Sequence, residues 1–159
     1  GLYKPYSLEH LDEKIKIGYL PQTSFFPEVS VSDYLSTISN HPIGKSEFVN
    51  VFSDLGLLND SLSVDDILNT LLSSTSNRFS GGQLKRIALA KLALSSKDLL
   101  ILDEPTSGLD QRSELLVLNL LNKMKQNGAT IILSTHSDLI YDGCDQRVDI
   151  RELLSFKRL

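Results

Sequence analysis

Two short apolar runs separated by a helical pattern limit most strongly what this chain can fold into. Residues 99–102 read Leu-Leu-Ile-Leu and residues 130–134 read Thr-Ile-Ile-Leu-Ser, and polar residues follow both runs at once. Between them, residues 111–126 have the composition and length of a helix. Strand, helix and strand in this order are typical of a parallel sheet, whose strands are buried on both faces and therefore continuously apolar. The sequence predicts a βαβ unit over residues 99–134 in an α/β domain.

Acidic residues follow the first apolar run at the carboxyl end of a strand, where open α/β sheets bind ligands. Asp103 there can hold Mg²⁺ directly or through water, and Glu104 can polarise an attacking water. A lone Asp-Glu pair is more commonly a solvated strand end. His136 follows the second run, so it is expected at the same sheet edge, which favours a shared site.

A serine and two glycines precede the helix-forming residues 83–94. Gly81 and Gly82 allow the backbone to approach a ligand closely, and the free N–H groups at a helix start favour an anion. Ser80 can add a hydroxyl donor, or it can simply cap the helix. On its own, Ser-Gly-Gly is usually only a turn and a cap. Asp110 is a candidate N-cap for the next helix along the chain.

Together these segments resemble the motifs of ABC-type ATPases, the ATP-binding cassette nucleotide-binding domains, in order and spacing. Residues 79–83 resemble the signature motif, usually Leu-Ser-Gly-Gly-Gln, with Phe79 keeping a large apolar side chain in place of Leu. Residues 99–104 resemble Walker B with its catalytic Glu, and residues 107–110 resemble the D-loop. His136 resembles the H-loop histidine.

The start of the chain adds two further points of resemblance. Residues 14–20 alternate in polarity, which predicts a strand with one buried face. The apolar positions are Ile15, Ile17 and Tyr19. Gln22 follows this strand and resembles the Q-loop glutamine. Residues 1–5 resemble the Gly-Leu-x-x-Pro segment that ends the first helix of ABC ATPases, so the resemblance implies an N-terminally truncated fragment with Walker A upstream.

Residues 23–78 lose the strand pattern, and three short helices are predicted in their place. Ser30 opens the first helix, and residues 46–55 and 64–72 carry apolar residues at helical spacing. Three such helices match the helical subdomain of ABC ATPases, so we expect a P-loop NTPase-like, mainly parallel sheet with an inserted α-helical subdomain. The predicted division of this partial nucleotide-binding domain, 1–159, is an α/β core at 1–23 and 96–159 and a helical subdomain with the signature at 24–95.

Gly44-Lys45-Ser46 imitates the end of a P-loop. The full motif needs a glycine where this chain has Ser39, and a strand just before it, where the pattern here is helical. We interpret these residues as a loop in which Ser46 caps a helix.

The resemblance implies a head-to-tail dimer with a second nucleotide-binding domain, each ATP lying between one subunit's Walker A and the other's signature. ATP and Mg²⁺ are the implied ligands. Glu104 would orient the attacking water and His136 would stabilise γ-phosphate charge, so both are assigned as catalytic. Asp103 and Gln22 would hold Mg²⁺. The residues assigned to nucleotide binding are Gln22, Ser80, Gly81, Gly82, Gln83 and Asp110.

Composition limits the partners that can be expected. The chain has 20 acidic and 16 basic residues and a net charge of −4, which gives no support for a nucleic-acid partner. Cys144 is the only cysteine, so no intrachain disulfide can form, which suits a reducing compartment. No apolar run reaches membrane-spanning length. Any membrane association must therefore come through a partner, and the resemblance implies a transmembrane permease subunit or a fused domain, with the chain at the cytoplasmic face of the membrane.

The implied function is the ATP-binding and ATP-hydrolysing subunit of an ABC transporter, which couples hydrolysis to transport across a membrane. Two alternatives stay open: a soluble ABC ATPase acting on ribosomes or DNA, and an inactive truncated remnant. DNA-repair and chromosome ATPases of the family carry long coiled coils between the Q-loop and the signature, and residues 23–79 contain no heptads. Because Walker A is missing, the 159-residue chain alone is expected to hydrolyse ATP poorly or not at all.

Overall fold

The computed structural model describes residues 15–37, 42–58, 62–73 and 78–148. The elements in these residues are β1 (Ile17–Leu20), α1 (Val31–Ser36), α2 (Lys45–Asp54), α3 (Val64–Asn69), α4 (Gly81–Ala93), β2 (Leu99–Asp103), α5 (Gln111–Gln126), β3 (Thr130–Ser134) and α6 (Asp138–Asp142). The Gly-Leu-x-x-Pro segment at residues 1–5 lies outside the described ranges. No helix in the described part of the chain is long and apolar enough to cross a membrane.

The three strands form one parallel sheet in the order β1-β2-β3. Leu20 of β1 lies opposite Leu102 of β2, and Asp103 at the end of β2 lies opposite Ser134 at the end of β3. The carboxyl ends of all three strands therefore reach the same edge of the sheet. The predicted α/β class, the parallel sheet and the βαβ unit over residues 99–134 are confirmed.

One face of the sheet forms part of the hydrophobic core. Leu20, Leu100 and Leu102 are at most 3% exposed, and they belong to the same buried cluster as apolar residues of α4 and α5. Helix α4 contacts β1 and helix α5 contacts β3. Continuous burial of apolar side chains on this face fixes the two helices against the strands.

The opposite face of the sheet is exposed. It carries Ile17 (44% exposed) and Tyr19 (59%) of β1, Ile101 (38%) of β2 and Ile132 (59%) of β3. The prediction that residues 99–102 are buried on both faces is wrong for the described chain. The physical reason is that α4 and α5 occupy one face and no described helix covers the other.

The prediction for β1 was wrong about which face is buried. Gly18 and Leu20 lie in the core, and the apolar positions Ile15, Ile17 and Tyr19 are exposed. The core approaches β1 where the strand has no side chain: a Cβ on Gly18 would lie 2.8 Å from Leu100 Cδ2. Alternation of polarity therefore gave the strand but not the face on which α4 packs.

The predicted N-cap residue is correct for α1 and wrong for α2. Ser30 caps α1 as predicted, since its Oγ accepts an N–H of the first turn at 3.0 Å. Helix α2 begins at Lys45 with Gly44 as its N-cap, so the prediction that Ser46 caps this helix is wrong. The side chain of Glu47 accepts the Gly44 N–H at 2.8 Å, and this bond supplies the capping acceptor from within the helix.

Helix α3 is shorter than predicted and ends at Asn69 rather than at residue 72. Thr70 leaves the helical conformation with ψ 133°, and its carbonyl accepts the Val31 N–H at 3.0 Å. Leu71 then forms a β-bridge with Ser30. Pairing with the chain around the start of α1 therefore overrides the helical periodicity of these residues.

The two helices that flank β2 agree closely with the sequence. Helix α5 has its predicted bounds and its predicted cap, Asp110, and Gly128 follows it with φ 97°, a conformation that glycine adopts without strain. Helix α4 (Gly81–Ala93) begins two residues before the predicted run 83–94, so the two glycines that were predicted to precede the helix lie in its first turn.

The predicted division into a discontinuous α/β core and a helical subdomain stays a prediction. Helices α1 to α3 follow β1 and precede β2 in the chain, as expected. One hydrophobic cluster nevertheless includes residues of both parts, for example Phe52 of α2 and Leu102 of β2.

The close packing at Gly18 gives a test of this core. A Cβ at Gly18 would lie within 3.0 Å of three side chains, so Gly18→Ala is expected to destabilise the chain by about 1–3 kcal/mol through overpacking. Gly81→Ala is the matched control, because a Cβ there meets nothing within 4 Å. Urea unfolding measures both variants; equal midpoints for the two would contradict the described packing of α4 on β1.

Candidate functional site

Asp103 is held at the carboxyl end of β2 by the neighbouring strand. Its Oδ1 accepts a hydrogen bond from Ser134 Oγ at 2.6 Å, and the same Oγ accepts the Glu104 N–H at 3.1 Å. The carbonyl of Ser134 also accepts the Glu104 N–H, at 3.2 Å. One serine of β3 therefore fixes both acidic residues at the end of β2, and the in-register pairing of the two strands places it there.

Glu104 has a backbone conformation that is unusual for a residue with a side chain. Its φ is 48°, in the left-handed region that residues other than glycine rarely adopt. Its side chain is 13% exposed and faces His136. Oε1 lies 3.5 Å from the ring Nε2 of His136, and Oε2 accepts the backbone N–H of His136 at 3.3 Å. The His136 side chain is 97% exposed. The structure thus brings these two predicted residues together, with the carboxylate sheltered and the ring open to solvent.

A lysine of α4 reaches the same turn. Lys85 Nζ donates to the carbonyl of Glu104 at 2.9 Å, to the carbonyl of Ser107 at 3.2 Å and to Ser107 Oγ at 2.5 Å. Burial lowers the pKa of the Lys85 ammonium, and the nearby carboxylates of Glu104 and Asp103 act in the opposite direction. Lys85 therefore links the helix that begins at the signature segment to the turn that carries Glu104.

The signature segment forms the start of α4. Ser80 Oγ accepts the Gln83 N–H at 3.2 Å, and Gln83 Oε1 accepts the Ser80 N–H at 2.8 Å, a capping box. A Cβ on Gly82 would lie 3.2 Å from Leu109, so the helix start packs against the loop at residues 107–110. The side of the helix start at Gly81 is open. Ser80 thus caps the helix, and the exposed first turn stays accessible to an anion.

Asp110 and Gln22 occupy different surroundings. Asp110 Oδ1 accepts the Ser113 N–H at 2.7 Å, and hydrogen bonding from Ser113, with smaller contributions from the Arg86 and Arg112 charges, holds the pKa of Asp110 below its usual range. Gln22 lies just beyond the end of β1, at the same sheet edge as Asp103, and its side chain is exposed. It makes no hydrogen bond with another residue in the part of the chain described.

The donor set at this edge fits Mg²⁺ held partly by substrate. In the described residues, no three His, Cys, Asp or Glu side chains cluster closely enough to hold a metal ion. Mg²⁺ is commonly bound through one or two protein carboxylates together with water and substrate phosphates. Asp103 offers such a carboxylate, oriented by Ser134, and Gln22 offers an amide oxygen at the same edge.

Comparisons with known proteins agree with this geometry. A protein-family model described as "ABC transporter" matches residues 4–107. A protein from Pyrococcus furiosus named as an ABC transporter ATP-binding protein has a solved structure that matches with a TM-score of 0.61 and 27% sequence identity, over 77% of this chain and 57% of that one. The fold is therefore that of the P-loop NTPase-like ATP-binding proteins, and the chain belongs to the ABC transporter family.

Two curated relatives show how much of a complete protein the chain corresponds to. The manganese transport system ATP-binding protein MntB of Listeria innocua is 30% identical over 125 residues, which is 76% of this chain and 51% of MntB. The macrolide export ATP-binding/permease protein MacB of Campylobacter jejuni is 33% identical over 107 residues, 64% of this chain and 17% of MacB. The chain spans about half or less of the length of these relatives.

Sequence reasoning missed two residues of the site, Ser134 and Lys85. Ser134 was assigned only as the last residue of a strand, although its position opposite Asp103 follows from in-register pairing. Lys85 was hidden in a helical run, and its contacts depend on how α4 lies against the turn after β2. The pairing rule could have found Ser134; no signal in the sequence identifies Lys85.

The cap at Asp110 gives a prediction about pH. Folding lowers the pKa of the Asp110 carboxyl. Such a group stabilises the folded state fully at pH values above its pKa in the unfolded chain, about 3.9. This stabilisation is lost as the pH falls through the pKa of the folded state. Asp110→Asn keeps a good capping side chain but cannot gain a proton. The difference in urea midpoint between the native chain and Asp110→Asn should therefore become smaller as the pH is lowered from 7 to about 3. A difference that stays constant over this range would contradict the described cap.

Proposed function

We propose that this chain is the ATP-hydrolysing part of an ABC transporter subunit, in which hydrolysis is coupled to transport across a membrane. The observation that carries the proposal is the contact between Glu104 and His136, 3.5 Å apart at the sheet edge where Asp103 also ends its strand. A sheltered carboxylate, an exposed imidazole and an oriented second carboxylate are suited to hydrolysis of a phosphoanhydride.

In this mechanism Glu104 is the group that activates water. Its side chain is mostly shielded from solvent, and its carboxylate oxygens face His136. A water between Glu104 and the γ-phosphate would be oriented for in-line attack and would pass its proton toward the carboxylate. His136, open to solvent on the other side, would donate to the γ-phosphate oxygens as charge develops on them.

Asp103 and Gln22 would hold Mg²⁺ at the same edge. Mg²⁺, when bound, neutralises charge on the β- and γ-phosphate oxygens. Ser134 orients the Asp103 carboxylate through its 2.6 Å hydrogen bond, so this carboxylate needs little reorganisation to serve as a ligand.

The start of α4 would serve a second nucleotide. Ser80, Gly81 and Gly82 present a helix N-terminus with an open side, a good site for a phosphate. As the family resemblance implies, this phosphate would belong to ATP held mainly by a second nucleotide-binding domain in a head-to-tail dimer. Gln83 completes the capping box of this helix, and Asp110 caps α5 just after Leu109, the residue that lies next to Gly82.

The nucleotide also needs a Walker A loop, and Gly44-Lys45-Ser46 does not supply one. Gly44 is the N-cap of α2, and Lys45 Nζ lies 2.6 Å from Asp65 Oδ2 in an ion pair within the helical segment. We expect the chain alone to bind and hydrolyse ATP weakly, and a protein with a Walker A segment ahead of Gly1 to be active.

Transport, rather than a role on ribosomes or DNA, is favoured by the relatives, whose names describe manganese transport and macrolide export. A permease subunit or fused membrane domain would place the chain at the cytoplasmic face. Two exposed apolar side chains would be available to such a partner: Phe25, three residues after Gln22, is 82% exposed, and Leu71, which is bridged to Ser30, is 53% exposed. The net charge of −4 supports no nucleic-acid partner.

Glu104→Gln tests the proposed mechanism in a protein that includes a Walker A segment. The substitution keeps the size of the side chain and one of its two acceptor oxygens but removes the base, so kcat for ATP hydrolysis should fall by roughly 10²–10⁴. Removing a negative charge beside the triphosphate also reduces repulsion, so ATP affinity should be unchanged or higher. Phosphate release and size-exclusion chromatography with Mg-ATP measure both effects, and a trapped dimer is expected.

Glu114→Gln is the control, because it makes the same chemical change in the first turn of α5, outside the proposed site. It should hydrolyse ATP at the parent's rate. If Glu104→Gln also hydrolyses at that rate, Glu104 does not activate the water and the assignment is wrong.

A further inference from the structure

Lys85 uses all the donors of its ammonium group on one turn of the chain. Its three hydrogen bonds reach the carbonyl of Glu104 and both the carbonyl and the hydroxyl of Ser107. An ammonium has three N–H groups, so none is left for a ligand. In the described residues no ion pair joins Lys85 to the carboxylate of Asp103 or Glu104, so its direct contacts are to two backbone carbonyls and one hydroxyl, while its charge acts on the carboxylates only from a distance.

The held backbone is the one that aims the Glu104 side chain. Its left-handed φ of 48° is costly for a residue with a Cβ, and such conformations persist only where the surroundings determine them. The Glu104 N–H is fixed by Ser134, and its carbonyl accepts from Lys85 Nζ and from the Ser107 N–H at 3.2 Å. Because the backbone angles set the direction of Cα–Cβ, losing the bond to Lys85 leaves one of the two peptide groups that aim the carboxylate held only by the Ser107 N–H.

Lys85 lies about one turn beyond the start of α4, the helix that begins with the signature segment. We propose that Lys85 is a positioning residue: it holds the turn at residues 104–107 so that the Glu104 carboxylate points at the attacking water, and it ties this turn to the signature helix. The inference rests on the proposed function, since it concerns the efficiency of the water activation assigned to Glu104.

Two neutral substitutions separate the hydrogen bonds of Lys85 from its charge. Lys85→Met keeps an unbranched side chain as far as the ε position and removes every donor, whereas Lys85→Gln ends at the same position and is equally uncharged but supplies two N–H donors. Lys91→Met is the matched control on the same helix: Lys91 is also half-buried, and its Nζ lies 3.9 Å from the centre of the Tyr34 ring. This control reports any general effect of placing Met on α4.

In a protein that includes a Walker A segment, Lys85→Met is expected to lower kcat by about 10–100-fold, because small misplacements of a catalytic group have effects of this size. KM for ATP should stay unchanged, Lys85→Gln should recover part of kcat, and Lys91→Met should keep the parent's kcat. Two results would overturn the inference while leaving the proposed function intact, provided that the parent is active. One is an unchanged kcat in Lys85→Met, and the other is a kcat in Lys85→Gln as low as that in Lys85→Met.

Amide hydrogen exchange on the chain alone tests the same inference without hydrolysis. The Glu104 and Ser107 amides should exchange roughly tenfold faster in Lys85→Met than in the native chain. In Lys91→Met they should exchange at the rate of the native chain. Unchanged exchange at both amides in Lys85→Met would overturn the positioning role. The two measurements can also disagree. Faster exchange in Lys85→Met would support the role of Lys85 in holding the turn, even if the native chain preceded by a Walker A segment hydrolysed no ATP. That lack of hydrolysis would refute the proposed function.

Discussion

The in-register parallel pairing of β2 with β3 is the constraint on which the site depends. It sets Ser134 beside Asp103, and one hydroxyl then serves the carboxylate of Asp103 and the backbone of Glu104. The same pairing lets His136, two residues after β3, reach the Glu104 side chain. A shift of one residue would reverse the faces of β3 and remove these contacts, so the core and the site specify the same register.

The arrangement suits the two acidic residues to the different tasks that we propose for them. Asp103 keeps its strand direction and has a carboxylate oriented by a hydroxyl, as a metal ligand requires. Glu104 turns away through a left-handed backbone and places its carboxylate against His136, as a water-activating base requires. Lys85 binds the carbonyl of Glu104 and Ser134 binds its N–H, so both peptide groups of this residue have partners outside the turn.

Much of the fold was predictable because its signals are local. Apolar periodicity, together with the residues that begin and end a helix, predicts the bounds of α5, its cap at Asp110 and the strands on either side. The buried face of β1 was not predictable, since Gly18 gives no hydrophobic signal although the core closes over it. The end of α3 and the contacts of Lys85 were also missed, because both depend on segments distant in sequence.

The most direct test is a structure of this chain preceded by a Walker A segment, carrying Glu104→Gln and bound to Mg-ATP. The account predicts the γ-phosphate beside residue 104 and His136, with Mg²⁺ near Asp103 and Gln22. It also predicts that Ser80 of a second copy touches the same nucleotide. A nucleotide bound away from this sheet edge, or contacted by the signature segment of its own subunit, would contradict the account.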